Sequence, residues 1–107
     1  MGERSEVAIV FCDLVDSTAI LSRLGDVAND ELRRDLFAAL RAPVAAAAGE
    51  EVKTQGDGMM AVFPSADDAV AGAVEMQLAV ARLDARDRDL RLALRVGVGW
   101  GEATSEE

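Results

Sequence analysis

The stretch VAIVFCDLVDST at residues 7–18 restricts the possible folds of this chain more than any other. An unbroken apolar run at 7–11, with Val and Ile in it, leaves no polar face for solvent. A strand over 7–13 should therefore be covered on both sides and stand in the middle of a sheet. The run then meets Asp13 and Asp16, with Ser17 and Thr18 beside them. A core strand that delivers carboxylates to its C-terminal end is carrying polar chemistry to a sheet edge.

The rest of the pattern supplies the surrounding elements. Asp16 or Ser17 can cap a short helix containing Ile20, Leu21 and Leu24, which Gly25 ends. From about Asn29 a second helix places Leu32, Leu36, Leu40 and Val44 on one face, with Arg33, Arg34 and Arg41 off it. Pro43 lacks the N–H that would reach the Ala39 carbonyl and should bend or end this helix. EEVKTQ and MMAVF flank Gly56, Asp57 and Gly58 as two antiparallel strands with a tight connection. Ser65, with Asp68 three residues on, forms a capping pattern for a third helix, which carries Val70, Val74, Leu78 and Ala81 on one stripe. In LRLALRVGV, Leu90, Leu92, Leu94, Val96 and Val98 alternate with Arg91 and Arg95, as in a strand buried on one face.

The order strand, helix, helix, strand, strand, helix, strand gives an α+β fold. With right-handed crossovers it is a ferredoxin-like antiparallel sheet, βααββαβ, with helices on one face and the first strand between the third and the fourth. In that topology Asp13 and Asp57, 44 positions apart, land on one edge. Facing carboxylates repel unless a cation lies between them, and Mg2+ or Mn2+ removes the conflict. Magnesium usually takes one or two protein carboxylates and completes its shell with phosphate oxygens, which suits a nucleoside triphosphate. Free N–H groups at the helix start in VDST can hold such an anion. Equally, Asp16, Ser17 and Thr18 serve as caps, and Asp57 as an ordinary hairpin acid.

Composition narrows the partners. The 107 residues carry a formal charge of -9, against the Lys- and Arg-rich surface that an extended DNA or RNA interface needs, so no nucleic-acid partner is expected. The single cysteine, Cys12, cannot form an internal disulfide and fits a reducing compartment. No stretch resembles a signal peptide or reaches the length of a membrane span, so the expected location is the cytoplasm.

VFCDLVDSTAIL, the pair Gly25 and Asp26, VKTQGDGMMAVF and LRVGVGWGE occur in this order across nearly the whole chain. Together they resemble the catalytic domain of class III adenylyl and guanylyl cyclases. The resemblance implies a pair of ions, Mg2+ or Mn2+, held by Asp13 and Asp57 with the backbone carbonyl of Leu14 as a further ligand. It implies that Lys53 reads the purine, Lys being typical of adenylyl and Glu of guanylyl cyclases; Lys53 alone also suits a solvated strand position. ATP is then the expected substrate. The implied reaction is attack of the ribose 3'-hydroxyl on the α-phosphorus, giving 3',5'-cyclic AMP and pyrophosphate, with the ions activating the hydroxyl and neutralising the triphosphate. A head-to-tail homodimer, or a fused regulatory domain, is implied as well, with Lys53 serving the partner's acids.

Family members continue beyond the GWGE motif with residues that contact the purine, orient the ribose and stabilise the transition state. Residues 1–107 are thus expected to be the N-terminal portion of the family domain and nearly inactive alone. A non-catalytic cyclase-like regulatory or dimerisation module is the alternative reading. Val96, Val98 and Trp100 should be partly uncovered, and the chain should self-associate. Other families with acids after an apolar strand fit less well. A haloacid dehalogenase phosphatase needs Asp where Val15 stands, and a response-regulator receiver alternates strand and helix without a Gly-Asp-Gly hairpin.

Overall fold

Leu32, Leu36, Leu40 and Val44, spaced by four, are all buried, and they seat one long helix across a sheet whose central strand is the apolar run. The computed structural model describes residues 3–86 and 91–105, with the side chains of 3–5, 17, 21 and 103–105 outside the description. The elements are β1 (Glu3–Leu14), α1 (Ser17–Leu24), α2 (Asp26–Ala46), β2 (Glu50–Gln55), β3 (Gly58–Phe63), α3 (Ala66–Arg86) and β4 (Leu94–Ser105). The sheet order is β2-β3-β1-β4 with every neighbour antiparallel, the βααββαβ arrangement expected from the sequence.

The helices cover one face only. Ala8, Val10, Cys12 and Leu14 of β1 are buried beneath them, whereas Phe11 on the opposite face is exposed. The expectation of a strand covered on both sides is therefore corrected, since its apolar character serves the helix layer on one face and an open surface on the other.

Helix α3 also differs from its expected stripe. Val70, Val74, Leu78 and Ala81 face solvent, and the buried line is Ala69, Gly72, Met76, Ala79, Val80 and Leu83. At Gly72 the helix approaches the sheet closely: a Cβ there would lie 2.8 Å from the Phe63 ring.

Two boundaries are corrected, and two capping and helix-end expectations are sharpened. Helix α2 starts at Asp26 rather than near Asn29, with Gly25 (φ 78°) as its whole separation from α1. Pro43 does not end α2, because its missing N–H falls close to the C-terminus and its own carbonyl still accepts from Ala47 N–H at 3.1 Å. β4 begins at Leu94, not Leu90. Arg91 is left-handed at φ 54° and the Leu92 N–H is donated to Asp84 Oδ1 at 2.7 Å, so the chain bends before the strand starts; Leu90 lies outside the described residues. Asp16 sits before α1 in a left-handed conformation (φ 55°) without a side-chain cap bond, whereas the Ser65 cap of α3 forms as expected, its Oγ accepting from Asp68 N–H at 3.1 Å.

Candidate active site on the open face of the sheet

Antiparallel pairing decides which residues share the open face. Lys53 is opposite Met60, Met60 opposite Phe11, and Phe11 opposite Gly97, a row that crosses all four strands. Two residues nearer the strand ends, Gln55 faces Gly58 and Asp13 faces Arg95. A Cβ built on Gly58 would lie 3.7 Å from the Asp13 Cβ, so Asp57, the next residue back in the turn, reaches the same rim as Asp13. The topology thus brings together acids that the sequence separates.

These rows wall a cavity of about 650 Å³, whose lining includes Asp13, Lys53, Gln55, Asp57, Met60 and Arg95. That volume lies within the ordinary range for small-molecule sites. Of the residues singled out from sequence, Asp13, Lys53 and Asp57 line it. The Leu14 side chain is buried in the core, which leaves only its backbone for the site. Asp16 and Thr18 are exposed and not part of the wall, and the Ser17 side chain lies outside the described residues.

Asp57 is held by the turn between β2 and β3. Gly56 takes φ 59°, a left-handed value that glycine adopts without Cβ strain and that closes the two-residue link. From α2, Arg33 Nε donates to the Gly56 carbonyl at 2.9 Å and braces the turn from outside. Asp57 Oδ2 is buried without a hydrogen-bond partner. A buried carboxylate oxygen with no donor carries a desolvation penalty, and a bound cation is the kind of group that removes it.

Asp13 is engaged differently. Arg95 grips it with two bonds, Nε to Oδ1 at 3.0 Å and Nη2 to Oδ2 at 2.9 Å. The guanidinium beside it holds the carboxyl below its ordinary range, while Asp13, Asp16 and Asp57 push the arginine upward. Arg95 is the site residue that sequence reasoning missed. Its alternation against Leu94 and Val96 marked it as outward-facing, but it is the register of β1 against β4 that sets it against Asp13.

Asp13 and Asp57 supply hard oxygen donors, one of them orphaned, and their number matches the one or two protein carboxylates that Mg2+ or Mn2+ takes when phosphate completes the shell. Among the described residues no group of three or more His, Cys, Asp and Glu could hold a metal without such help. The residues present fit an ion that arrives with a phosphate ligand.

The family described as the adenylate and guanylate cyclase catalytic domain matches residues 1–106. This chain belongs to that family. Its fold is that of class III cyclases: it is similar to the guanylyl cyclase Cya2, at 25% identity and a TM-score of 0.84, and to the adenylate/guanylate cyclase/hydrolase of Silicibacter pomeroyi, at 29% and 0.78. A protein described as adenylate cyclase in Podospora anserina is 29% identical over 118 residues. The cyclase-family chain spans 6% of that Podospora protein, 57% of the Cya2 chain and 63% of the Silicibacter chain, while 94%, 96% and 100% of its own length is covered. Among its described residues no helix is long and apolar enough to cross a membrane.

Proposed function

We propose that the cavity is a nucleotide cyclase centre that takes ATP with Mg2+ or Mn2+ and belongs to the conversion of ATP to 3',5'-cyclic AMP and pyrophosphate. The observation that carries this reading is the convergence of Asp13 and Asp57 on one rim, with an orphaned carboxylate oxygen on Asp57. Divalent ions, when bound, would supply charge neutralisation at the triphosphate and a lower pKa for the attacking ribose hydroxyl. The chain's own residues do the rest. Asp13 and Asp57, with the Leu14 backbone carbonyl, would hold the ions at the strand ends; Arg33 braces the turn that presents Asp57, and Arg95, paired with Asp13 in the free chain, would have to yield that carboxylate for an ion to bind there. The Asp16 to Thr18 segment at the start of α1 is available to the triphosphate tail.

Lys53 lies one row inward and two strands from Asp13, roughly 12 Å by sheet geometry, so it addresses the far end of an extended nucleotide rather than its reacting phosphorus. A lysine at this position is typical of adenylyl cyclases, where guanylyl cyclases carry Glu, and that resemblance supports ATP. In a head-to-tail homodimer the same lysine would serve the partner's acids.

Turnover by these residues alone is expected to be weak. Arg95 and Lys53 are the cationic side chains on the described wall, Arg95 is spent on Asp13 in the free chain, and phosphoryl transfer loses several kcal/mol for each missing charge at the transition state. Titration calorimetry with ATP or GTP in Mn2+, followed by a cyclic-nucleotide assay, tests the proposal. Binding of ATP in preference to GTP with slow cyclic AMP formation supports it. Binding without any product favours the regulatory-module reading, which the closed Asp13–Arg95 pair also accommodates. No binding of either nucleotide overturns both.

A further inference from the structure

Basic side chains are scarce in this chain, 11 Lys and Arg against 20 Asp and Glu, yet three arginines of α2 gather on one flank of the helix. Arg33, Arg34 and Arg41, with Phe37 and Asp30, line a second cavity of about 490 Å³. It shares no residue with the cavity on the open face of the sheet. Helix chemistry does not account for the group, because the last turn of α2, where cations offset the helix dipole, holds no basic residue.

Ion pairing accounts for only part of it. Arg41 is paired with Glu51, its Nε 2.7 Å from Oε1. Arg33 donates its Nε to the Gly56 carbonyl. Among the described residues Arg34 makes neither a hydrogen bond nor an ion pair, in a chain where acids outnumber bases. The cluster is also held in place. Arg33 and Arg41 lie one turn to either side of Phe37, their guanidinium carbons 5.9 and 5.8 Å from its ring centroid. Contact with the ring steadies a guanidinium while leaving in-plane N–H groups for a further acceptor.

We propose that this cavity binds a small phosphate-bearing anion through Arg33, Arg34 and Arg41, and that Arg33 couples it to the turn presenting Asp57. Guanidinium forks match phosphate oxygens, and a phosphate has enough of them to take donors from all three arginines, whereas a carboxylate has two. Charge keeps the ligand small. A chain of formal charge -9 repels a membrane surface or a nucleic acid of the same sign. A small anion meets chiefly the local field of the arginines, since charges beyond about 8 Å are screened at physiological ionic strength. Arg33 joins the cavity to the rim. An anion on its Nη groups leaves Nε on the Gly56 carbonyl and holds the side chain there, so binding stiffens the turn. With a metal on the rim, as in the proposed function, each ligand then tightens the other. That last consequence alone rests on the nucleotide reading.

Titration of the whole, metal-free chain with inorganic phosphate, against sodium chloride at matched ionic strength and followed by amide chemical shifts, tests the site. The expected result is saturable shifts at 33–41 together with Gly56 and Asp57. Arg34→Gln should weaken binding by about fivefold or more, and Asp30→Asn, which removes the acid from the wall, should tighten it about twofold. Arg82→Gln, at an exposed arginine of α3 outside the wall, should leave the dissociation constant within about twofold. Shifts that do not saturate, or an Arg82→Gln effect equal to that of Arg34→Gln, overturn the inference, because phosphate then acts only as a counterion. So do shifts confined to the open-face cavity around Arg95. Binding at 33–41 that leaves Gly56 and Asp57 unmoved overturns the coupling. With neither metal nor nucleotide present, each of these failures leaves the proposed function untouched.

Discussion

Asp57 and Asp13 occupy the same rim in opposite electrostatic states, one unpartnered and the other clasped by an arginine. Replacing either with Asn should lower Mn2+ affinity by about tenfold or more, read by titration calorimetry with ATP present. Arg95→Gln should act the other way on the metal alone, raising Mn2+ affinity several-fold, on the order of 1 kcal/mol, because Asp13 no longer has to exchange one cation for another. Arg33→Ala removes the brace on the Gly56 carbonyl and should weaken metal binding while the melting temperature moves little, since both partners are exposed. Cys12 carries a pH signature: burial pushes its thiol from an ordinary 9.0 up to about 11. The unfolded chain ionises it first, so the stability it contributes is complete below pH 9 and is lost as pH rises towards about 11; Cys12→Ala should flatten that alkaline decline in urea titrations. At this scale the sequence was legible where a residue's place follows from its strand position, as for Asp13 and Asp57, which line one cavity. Arg95 was not recognised, because an outward arginine opposite Asp13 is defined by the register of β1 against β4 and not by its own neighbours.

Elements were readable where periodicity had one interpretation. The α2 stripe Leu32, Leu36, Leu40 and Val44 is buried as its spacing indicates, and Leu36→Ala, at a fully buried position, should cost about 2–5 kcal/mol by denaturant titration. Helix α3 has apolar residues nearly all round, so periodicity alone offered two faces, and the larger side chains marked the wrong one. The buried line is instead Ala69, Gly72, Met76, Ala79, Val80 and Leu83, and the close approach of Phe63 requires glycine at 72. Gly72→Ala should therefore destabilise by about 1–3 kcal/mol even though alanine is the better helix former, a reversal that thermal melts can detect. The early part of LRLALRVGV misled for a related reason. Alternation persists through Leu92, a buried residue, but the left-handed turn at Arg91 and the Asp84 bond to the Leu92 N–H depend on α3 and are invisible in a local pattern.

For the molecule as a whole, the topology followed from element order and handedness, and with it the meeting of the two acids. What the sequence could not convey was how much of the sheet stays uncovered, because exposure belongs to the assembled layers: Phe11 and Trp100 are as apolar as Val10 and Phe63, yet only the latter pair is buried. The central position of β1 has a further consequence for the acids. Asp13 rides on the strand bonded along both sides, so its placement should fluctuate only when the entire domain opens, with its neighbours among the slowest amides to exchange. Asp57 hangs instead from a two-residue link whose outer strand is an edge, and that hairpin can fray alone. Loading of the rim is therefore expected to be gated by the breathing of one tip against a fixed anvil, and a single residue inserted beside Gly56 would disable the centre while leaving the melting curve almost untouched.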